Sequence, residues 1–192
     1  MIKDLLRKSR SYRSFDSMVV VSEEQLKELI DCTRYAPSSI NMQMLKYRLV
    51  FDPRERDAVL AGTRWAAKLK DLKLPPVGHE PSAFIVICAD QNVRPAAESF
   101  QKDVGICAQT IMLAAADADL GGCILASFQK DEIISLLGLP EGLIPQLVLA
   151  IGKPDEQVEI TDPAPDGSVT YYRENGIHFV RKRHLDDLIL RK

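Results

Sequence analysis

A run of apolar residues over 104–118 constrains this chain most strongly, because it lies in a helix that the sequence predicts from about Ser99 to Asp119. Nearly every side of that helix is apolar, and such a helix is stable only when neighbouring elements cover all of its faces. Gly105 and the alanines at 114–116 would let a second helix approach closely. The helix is either enclosed within its own domain or shared with a second copy of the chain, and we favour the second copy.

The other regular elements predict an α+β domain. Continuous apolar runs at 83–88 and 147–152 indicate strands that are buried on both faces. Further short elements are expected at 2–8, 46–52, 124–126 and 184–190. Because 192 residues are enough to bury a core, we predict a single domain over residues 1–192.

Local signals define the ends of two further helices. Ser22 and Gln25 form a capping box, and the helix that follows them is expected to end before Pro37. The charged segment 53–74 is prone to helix formation until the Pro75–Pro76 pair interrupts it.

Charge is distributed unevenly along the chain. The formal net charge is −2, which argues against a protein whose whole surface binds a nucleic acid or another large polyanion. Residues 1–15 carry a net charge of +4 and residues 180–192 carry +3, so the middle carries −9. The basic ends are either ordinary solvated surfaces or two parts of a site for a small anion.

The sequence lacks the signatures of several other function classes. It has no G-x-G-x-x-G fingerprint after a strand, no phosphate-binding P-loop, no G-x-S-x-G motif and no His pair with metal-ligand spacing. We therefore predict no metal site. The four cysteines are widely spaced, and Cys88 lies in an apolar run where a thiol acts as a small filler. Since neither an export signal nor a membrane span is evident, we expect a cytoplasmic protein with reduced thiols.

Polar clusters interrupt the pattern at Arg10–Phe15, Ala36–Gln43 and Arg181–Arg183. Each has an ordinary explanation: solvent-exposed arginines, a helix-capping turn and a solubilising charge run. Each also has a functional one, because paired guanidinium groups bind phosphate, and a loop of small hydroxyls and amides can hydrogen-bond a polyol or a heterocycle. The residues by themselves leave both explanations open.

The ordered set of motifs along the chain resembles the FMN-dependent nitroreductase family, and its shorter-chain members most closely. The motifs are these three clusters together with Asp103–Gln109, Leu120–Cys123, Leu139–Gly142, Ala150–Pro154 and the stretch from Tyr172 to Arg183 that contains Gly176-Ile-His178. The resemblance covers nearly the whole chain. It implies an α+β fold with a central, mixed but mainly antiparallel sheet wrapped by helices. It also implies an intertwined homodimer with FMN at its interface, across which the apolar helix would pack.

The resemblance also assigns cofactor-binding positions. They are Arg10, Ser11, Arg13, Pro37, Ser38, Ser39, Asn41, Gln43, Ala126, Ser127, Lys182 and Arg183. The N-terminal cluster would hold the phosphate, the ribityl chain and the pyrimidine edge of FMN, and the C-terminal pair would close on the phosphate. The loop 37–43 would reach the flavin from the other subunit. The loop at 126–127 would present a backbone N–H group towards flavin N5.

Two positions depart from the pattern of the family. Ser9 stands where many relatives have a second basic residue, so more of the charge that meets the phosphate must come from Arg10 and the C-terminal tail. Met44-Leu45 stands where many relatives have Pro-Trp, so packing in this loop is expected to differ.

In function, the resemblance implies an NAD(P)H-dependent flavin oxidoreductase that reduces nitroaromatics, quinones or similar electron-poor acceptors by a ping-pong hydride mechanism. The redox chemistry would belong to FMN, so we assign no catalytic side chain. Arg13 is our candidate for the positive charge that stabilises the reduced flavin. Residues 63–78, which include Trp65, would either cap the flavin or form an ordinary surface helix.

Two alternatives keep the cofactor and change the function. One is an FMN sensor or storage module without turnover, and the other is a reductive dehalogenase or ene reductase on the same scaffold. A nucleic-acid binder is disfavoured because the acidic middle of the chain opposes it. The expected partners are a second copy of the chain, NAD(P)H and a small electron-poor substrate, without nucleic acid or membrane.

Overall fold

The main sheet positions the other elements of the molecule. The computed structural model describes residues 1–66, 68–69, 72–93 and 100–191. Within these residues the main sheet contains four antiparallel strands in the order β1-β2-β4-β3. They are β1 (Leu45–Val50), β2 (Ala83–Asp90), β3 (Gly121–Leu125) and β4 (Leu143–Gly152). The strands that the sequence predicts in these regions are confirmed, with ends that differ by a few residues.

Helices cover both faces of this sheet. They are α1 (Ile2–Lys8), α2 (Glu23–Asp31), α3 (Pro53–Ala61), α4 (Phe100–Asp117) and α5 (Lys130–Leu137). α2 and α4 share one apolar cluster with Ile85 of β2, whereas α3 and α5 share another with the neighbouring Phe84. Successive side chains of a strand point to opposite faces, which explains why β2 is buried on both sides. In the described part of the chain, no helix has both the length and the apolar character needed to cross a membrane.

Capping residues set the ends of two helices. The Ser22 side chain accepts a hydrogen bond from the Gln25 N–H at 3.2 Å, and the Gln25 side chain accepts one from the Ser22 N–H at 2.9 Å. The predicted capping box is therefore confirmed. α3 is shorter than the segment predicted to be helix-prone, because it ends at Ala61 with Gly62 as its C-cap.

α4 leaves one face uncovered by the described residues of its own chain. Val104 and Ile111 are buried, but Ile106 is 38% exposed, and Gly105 and Gln109 on the same side are exposed as well. Within the described residues, the domain therefore does not enclose this face of the helix. The first residue of the predicted helix lies outside the described residues.

A second, smaller sheet lies near the C-terminus. It is formed by β5 (Gln157–Thr161), β6 (Tyr172–Glu174) and β7 (Ile177–Arg181), with β7 in the middle, parallel to β5 and antiparallel to β6. The four described strands of the main sheet pair with one another only in antiparallel fashion, as the expected mainly antiparallel sheet requires, whereas β5 and β7 of the smaller sheet pair in parallel. The helix predicted at 184–190 is instead a short 3-10 turn over Leu185–Leu188.

Candidate functional site

The two basic ends of the chain meet at one cavity. It has a volume of about 310 Å³ and is lined by the N-terminal segment, α4, β3 and the C-terminal sheet. Its cationic side chains, in the part of the chain that the structure describes, are Arg10, Arg13 and Lys182. Two basic segments that are far apart in sequence thus form one region of positive charge, as the small-anion explanation requires.

The N-terminal cluster is held against β3 by backbone pairing. Ser11 forms a parallel bridge with Gly122, and the Tyr12 N–H donates to the Gly122 carbonyl at 2.9 Å. A Cβ atom at Gly122 would lie 1.9 Å from the Ala150 carbonyl oxygen, so glycine is needed where these backbones approach. This pairing sets the cluster into the wall of the cavity.

A buried ion pair joins the N-terminal cluster to the C-terminal sheet. The Glu156 carboxylate, whose side chain is 4% exposed, accepts a hydrogen bond from the Arg13 backbone N–H and pairs with the Arg173 guanidinium. The Arg13 guanidinium lies 5.3 Å from the centre of the Tyr171 ring and donates to the Ser11 carbonyl at 3.2 Å. Because Arg173 neutralises Glu156, the positive charge of Arg13 remains available to a ligand.

Several nitrogen atoms at this cavity are buried without a hydrogen-bond partner among residues 1–66, 68–69, 72–93 and 100–191. They are Nε of Arg10, Nε of Arg13, and Nδ1 and Nε2 of His178. Buried polar groups are nearly always paired, since an unpaired one costs about 1–3 kcal/mol. The cavity is therefore suited to a small ligand that carries an anionic group and several hydrogen-bonding groups.

His178 is held in its neutral form. It lies on β7, is 2% exposed and meets Tyr171 edge to face, with 5.5 Å between the ring centres. Burial, together with the positive charges of Arg13 and Arg173, lowers the pKa of His178 to about 4. The imidazole is therefore uncharged at neutral pH.

The low pKa of His178 predicts a loss of stability in mild acid. A histidine in an unfolded chain has a pKa of about 6.5, so below that pH the unfolded state binds a proton that the folded state binds only near pH 4. We expect this group to lower the free energy of unfolding by about 2 kcal/mol between pH 7 and pH 5. Chemical denaturation of the wild type and of His178→Phe at both pH values measures it, and the variant should lack this part of the pH dependence.

The control for this prediction is His184→Gln, which replaces an exposed histidine and should keep the pH dependence of the wild type. If His178→Phe loses as much stability as the wild type between pH 7 and pH 5, the prediction is wrong.

A second cleft, of about 140 Å³, contains part of the predicted loop. Ser38 and Gln43 line it, beside Asp103 and Cys107 of α4. Among the described residues, no side chain lines both this cleft and the first cavity. Within one copy of the chain, the predicted site residues that line a cavity therefore fall into two groups, one at each cavity, and an exposed stretch of α4 lies between them.

The loop at the second cleft has a strained backbone that Asp103 holds in place. Ile40, Asn41 and Gln43 have positive φ angles of 46°, 56° and 49°, which are unfavourable for a β-branched residue such as isoleucine above all. Asp103 is 4% exposed, and both of its carboxylate oxygens accept from the Ser39 N–H at 3.1 Å. Since strained backbone persists only where surrounding contacts hold it, Asp103 is a positioning residue for this loop.

Replacing Asp103 by alanine is expected to lower the free energy of unfolding by about 2 kcal/mol, because a buried, charge-assisted hydrogen bond is lost. The loop 38–43 should also be cleaved faster in limited proteolysis. Asp131→Ala is the matched control, since it removes an exposed carboxylate from the first turn of another helix. Cleavage of the loop at the wild-type rate in Asp103→Ala would count against the positioning role.

Other predicted positions lie outside both cavities. Ala126 and Ser127 are exposed directly after β3, where the Ser127 carbonyl accepts from the Arg64 N–H at 2.9 Å. Lys182 lines the first cavity, whereas Arg183 lines a separate surface groove. Loop residues that do not line the second cleft are Pro37, Ser39 and Asn41.

Glu156 and His178 are two site residues to which the sequence motifs assign no binding role. For His178 a signal was available, because His178, Val180 and Lys182 alternate along the chain and all line the cavity. The same alternation explains why Lys182 lines the cavity and the next residue, Arg183, does not. For Glu156 no local signal existed, since its partners Arg13 and Arg173 come from two other segments of the chain.

The predicted cap at 63–78 falls partly outside the described residues, because it includes residues 67, 70 and 71. Trp65 packs at the edge of an apolar cluster, and its Nε1 donates to the Thr63 hydroxyl at 2.9 Å. Its function as a cap over a flavin stays a prediction.

The structure gives little support for a nucleophilic cysteine at Cys88 or for a metal site among the described residues. Cys88 is buried, and burial raises the pKa of its thiol to about 11, whereas a nucleophilic cysteine needs a thiolate. Among the described residues, no three His, Cys, Asp or Glu side chains are grouped as ligands for a metal ion.

Known proteins share the sequence pattern and the fold of this chain. Residues 6–153 match the profile of the nitroreductase family. The chain is 26% identical over 195 residues to the NADPH-flavin oxidoreductase of Vibrio harveyi, a match that covers 93% of this chain and 74% of the relative. It is 28% identical over 184 residues to the NAD(P)H-type FMN reductase of Bacillus subtilis, covering 84% of this chain and 69% of the relative. Its fold matches a nitroreductase family protein from Streptococcus pneumoniae with a TM-score of 0.69 at 18% identity, covering 90% of this chain and 100% of that one.

Proposed function

This chain belongs to the nitroreductase family of oxidoreductases, and on that premise we propose that it binds FMN and uses NAD(P)H to reduce nitroaromatics, quinones or similar electron-poor acceptors. The observation that carries the proposal is the cavity at which Arg10, Arg13 and Lys182 meet buried nitrogen atoms without partners among the described residues. Relatives named as a flavin oxidoreductase and an FMN reductase support the same cofactor and electron donor.

The donor set of the cavity fits FMN. A phosphate monoester needs permanent cations, and Arg10 and Lys182 are suited to it. Ribityl hydroxyls need groups that both donate and accept hydrogen bonds, which Ser11 and Gln109 provide. Arg13 is then left for the pyrimidine edge of the flavin.

When bound, FMN supplies the transfer of electrons from a reduced nicotinamide to the acceptor. The protein therefore needs no nucleophile. Its side chains would bind FMN, orient it and adjust its reduction potential. The cation of Arg13 would stabilise the negative charge of a reduced flavin bound here. Glu156 holds the Arg13 backbone, and Arg173 keeps the Glu156 carboxylate from competing for the Arg13 charge. Nicotinamide and acceptor would use the same face in turn, which gives ping-pong kinetics.

The second cleft belongs, in this proposal, to the site of a second copy of the chain. α4 contributes Gln109 to the first cavity and Asp103 to the second cleft, and Ile106 lies exposed between them. Packing of this face against its counterpart in another copy would cover the apolar side chain. It would also bring the loop 37–43 of one subunit towards the cavity of the other.

Replacing Ile106 by glutamate is expected to dissociate the dimer and to weaken FMN binding at least tenfold, because a charge would be buried at the subunit contact. Sedimentation velocity measures the first effect and flavin fluorescence the second. Leu136→Glu, at a residue of α5 that is 41% exposed, is the control and should change neither. A dimer of wild-type strength in Ile106→Glu would rule out this contact.

The visible spectrum and turnover of the purified protein test the proposed function. We expect the absorbance of a bound flavin, or uptake of added FMN, and oxidation of NADH or NADPH that depends on a nitroaromatic or quinone. Parallel double-reciprocal plots would agree with ping-pong kinetics. A protein that binds FMN but turns over no acceptor would be a sensor or store. Turnover confined to halogenated aromatics or activated alkenes would favour the dehalogenase or ene-reductase alternative, and failure to bind FMN would overturn the proposal.

A further inference from the structure

His178 is a buried polar residue of the cavity to which the proposed function gives no role. We propose that it is a further cofactor-binding residue, whose neutral imidazole accepts a hydrogen bond from a hydroxyl group of the ribityl chain of FMN. The inference rests on the proposed function, because it requires FMN in this cavity.

The neighbours of His178 fix the position of its ring. β7 lies between β5 and β6, and His178 is paired in register with Val158 and Arg173. The ring is 2% exposed and contacts Tyr171 at an interplanar angle of 68°. Neither ring nitrogen has a hydrogen-bond partner in the described part of the chain, although both are buried at the cavity. Since buried polar groups are nearly always paired, two unpaired nitrogens on this ring indicate a partner other than the described residues.

Donors outnumber acceptors among the charged side chains of the cavity, and Ser11 and Gln109 are polar lining residues that can accept as well as donate. The side chains of Arg10, Arg13 and Lys182 can only donate hydrogen bonds, which suits phosphate and carbonyl oxygens. A ribityl hydroxyl also donates one hydrogen bond and therefore needs an acceptor. The carboxylate of Glu156 already accepts from the Arg13 N–H and from Arg173. His178 supplies an acceptor with one ring nitrogen, and its other nitrogen can donate to a second ribityl oxygen.

The charges around His178 favour an acceptor over a cation. Burial, together with the positive charges of Arg13 from the N-terminal segment and Arg173 from β6, lowers the pKa of His178 to about 4. A positively charged imidazole beside these arginines would be repelled, so His178 is neutral at pH 7. It can accept a hydrogen bond, whereas Lys182 is a cation that can only donate. The charged and titratable groups around this part of the cavity are Arg13, Glu156, Tyr171, Arg173 and Lys182.

Binding of FMN and of riboflavin distinguishes contact with the polyol from contact with the phosphate, because riboflavin has the ribityl chain without the phosphate. We expect His178→Phe, which keeps the ring shape and removes both nitrogens, to weaken the binding of both flavins by the same factor of about ten. His178→Gln keeps a donor and an acceptor and should bind both flavins within about threefold of the wild type. Lys182→Ala should weaken FMN alone. Flavin fluorescence titration at pH 7 provides all of these affinities.

The results for the His178 variants test the role of His178, and FMN binding by the wild type tests the proposed function. Wild-type affinity for both flavins in His178→Phe would overturn the inference and reduce His178 to a filler of the core. Loss of FMN affinity alone would overturn it as well, since His178 would then bind the phosphate. If His178→Phe does not fold, judged by circular dichroism, His178→Leu takes its place in the same comparison. A wild-type protein that binds no FMN would refute the proposed function itself.

Discussion

Replacing Arg13 by alanine is expected to weaken FMN binding by about 10- to 100-fold and to lower the midpoint potential of the bound flavin. Hydrogen bonds to charged groups contribute about 1.5–3 kcal/mol, and each 1.4 kcal/mol corresponds to a factor of ten in affinity. The Nε of Arg13 is buried without a partner among the described residues, so a ligand would complete its hydrogen bonds. Removal of the cation would also withdraw charge that favours the anionic reduced flavin.

Two further variants make the Arg13 experiment specific. Arg54→Ala removes an exposed arginine from α3 and should leave FMN affinity and potential unchanged. Arg13→Lys keeps the charge but loses the planar fork, so it should retain more of the potential than of the affinity. Fluorescence titration and spectroelectrochemistry provide the two readouts. An unchanged FMN affinity together with an unchanged midpoint potential in Arg13→Ala would refute the assigned role.

Replacing Arg173 by methionine is expected to lower the free energy of unfolding by about 3 kcal/mol, because it leaves the buried Glu156 carboxylate without its counterion. The Arg13 backbone N–H would remain as a hydrogen-bond donor to this carboxylate, but the positive charge of Arg13 would be drawn towards it. FMN affinity should therefore fall as well, although Arg173 does not line the cavity. Urea denaturation and fluorescence titration measure the two effects.

The double variant Glu156→Gln/Arg173→Met tests whether the cost comes from the unpaired charge. Removal of both charges should recover about half or more of the lost stability, since a buried pair contributes little compared with the penalty for breaking it. Arg56→Met breaks the more exposed pair with Asp57 and should cost less than about 1 kcal/mol. If Arg173→Met costs no more than Arg56→Met, the buried pair does not hold the two ends of the chain together.

Elements with strong local signals could be predicted from the sequence. β2 and the second half of β4, residues 147–152, are continuous apolar runs, and α2 begins at a capping box, so the local sequence predicts each of these elements to within a few residues. β5 has only a weak local signal, because its polar–apolar alternation covers just five residues, and its place in a sheet depends on pairing with β7. The end of α3 was also not predicted. The helix ends at Ala61 with Gly62 as its C-cap, although the charged residues that follow are compatible with a longer helix.

The ordered motifs of the sequence identified the family and pointed to the positively charged segments at the two ends of the chain, because side-chain charge is a property of each residue alone. Only the tertiary structure decided that Arg10, Arg13 and Lys182 share a cavity, and that Arg183 does not. It also decided the charge state of His178 and the exposure of Ile106. Burial, counterions and unsatisfied hydrogen bonds depend on neighbours from distant segments, and no local pattern specifies those neighbours.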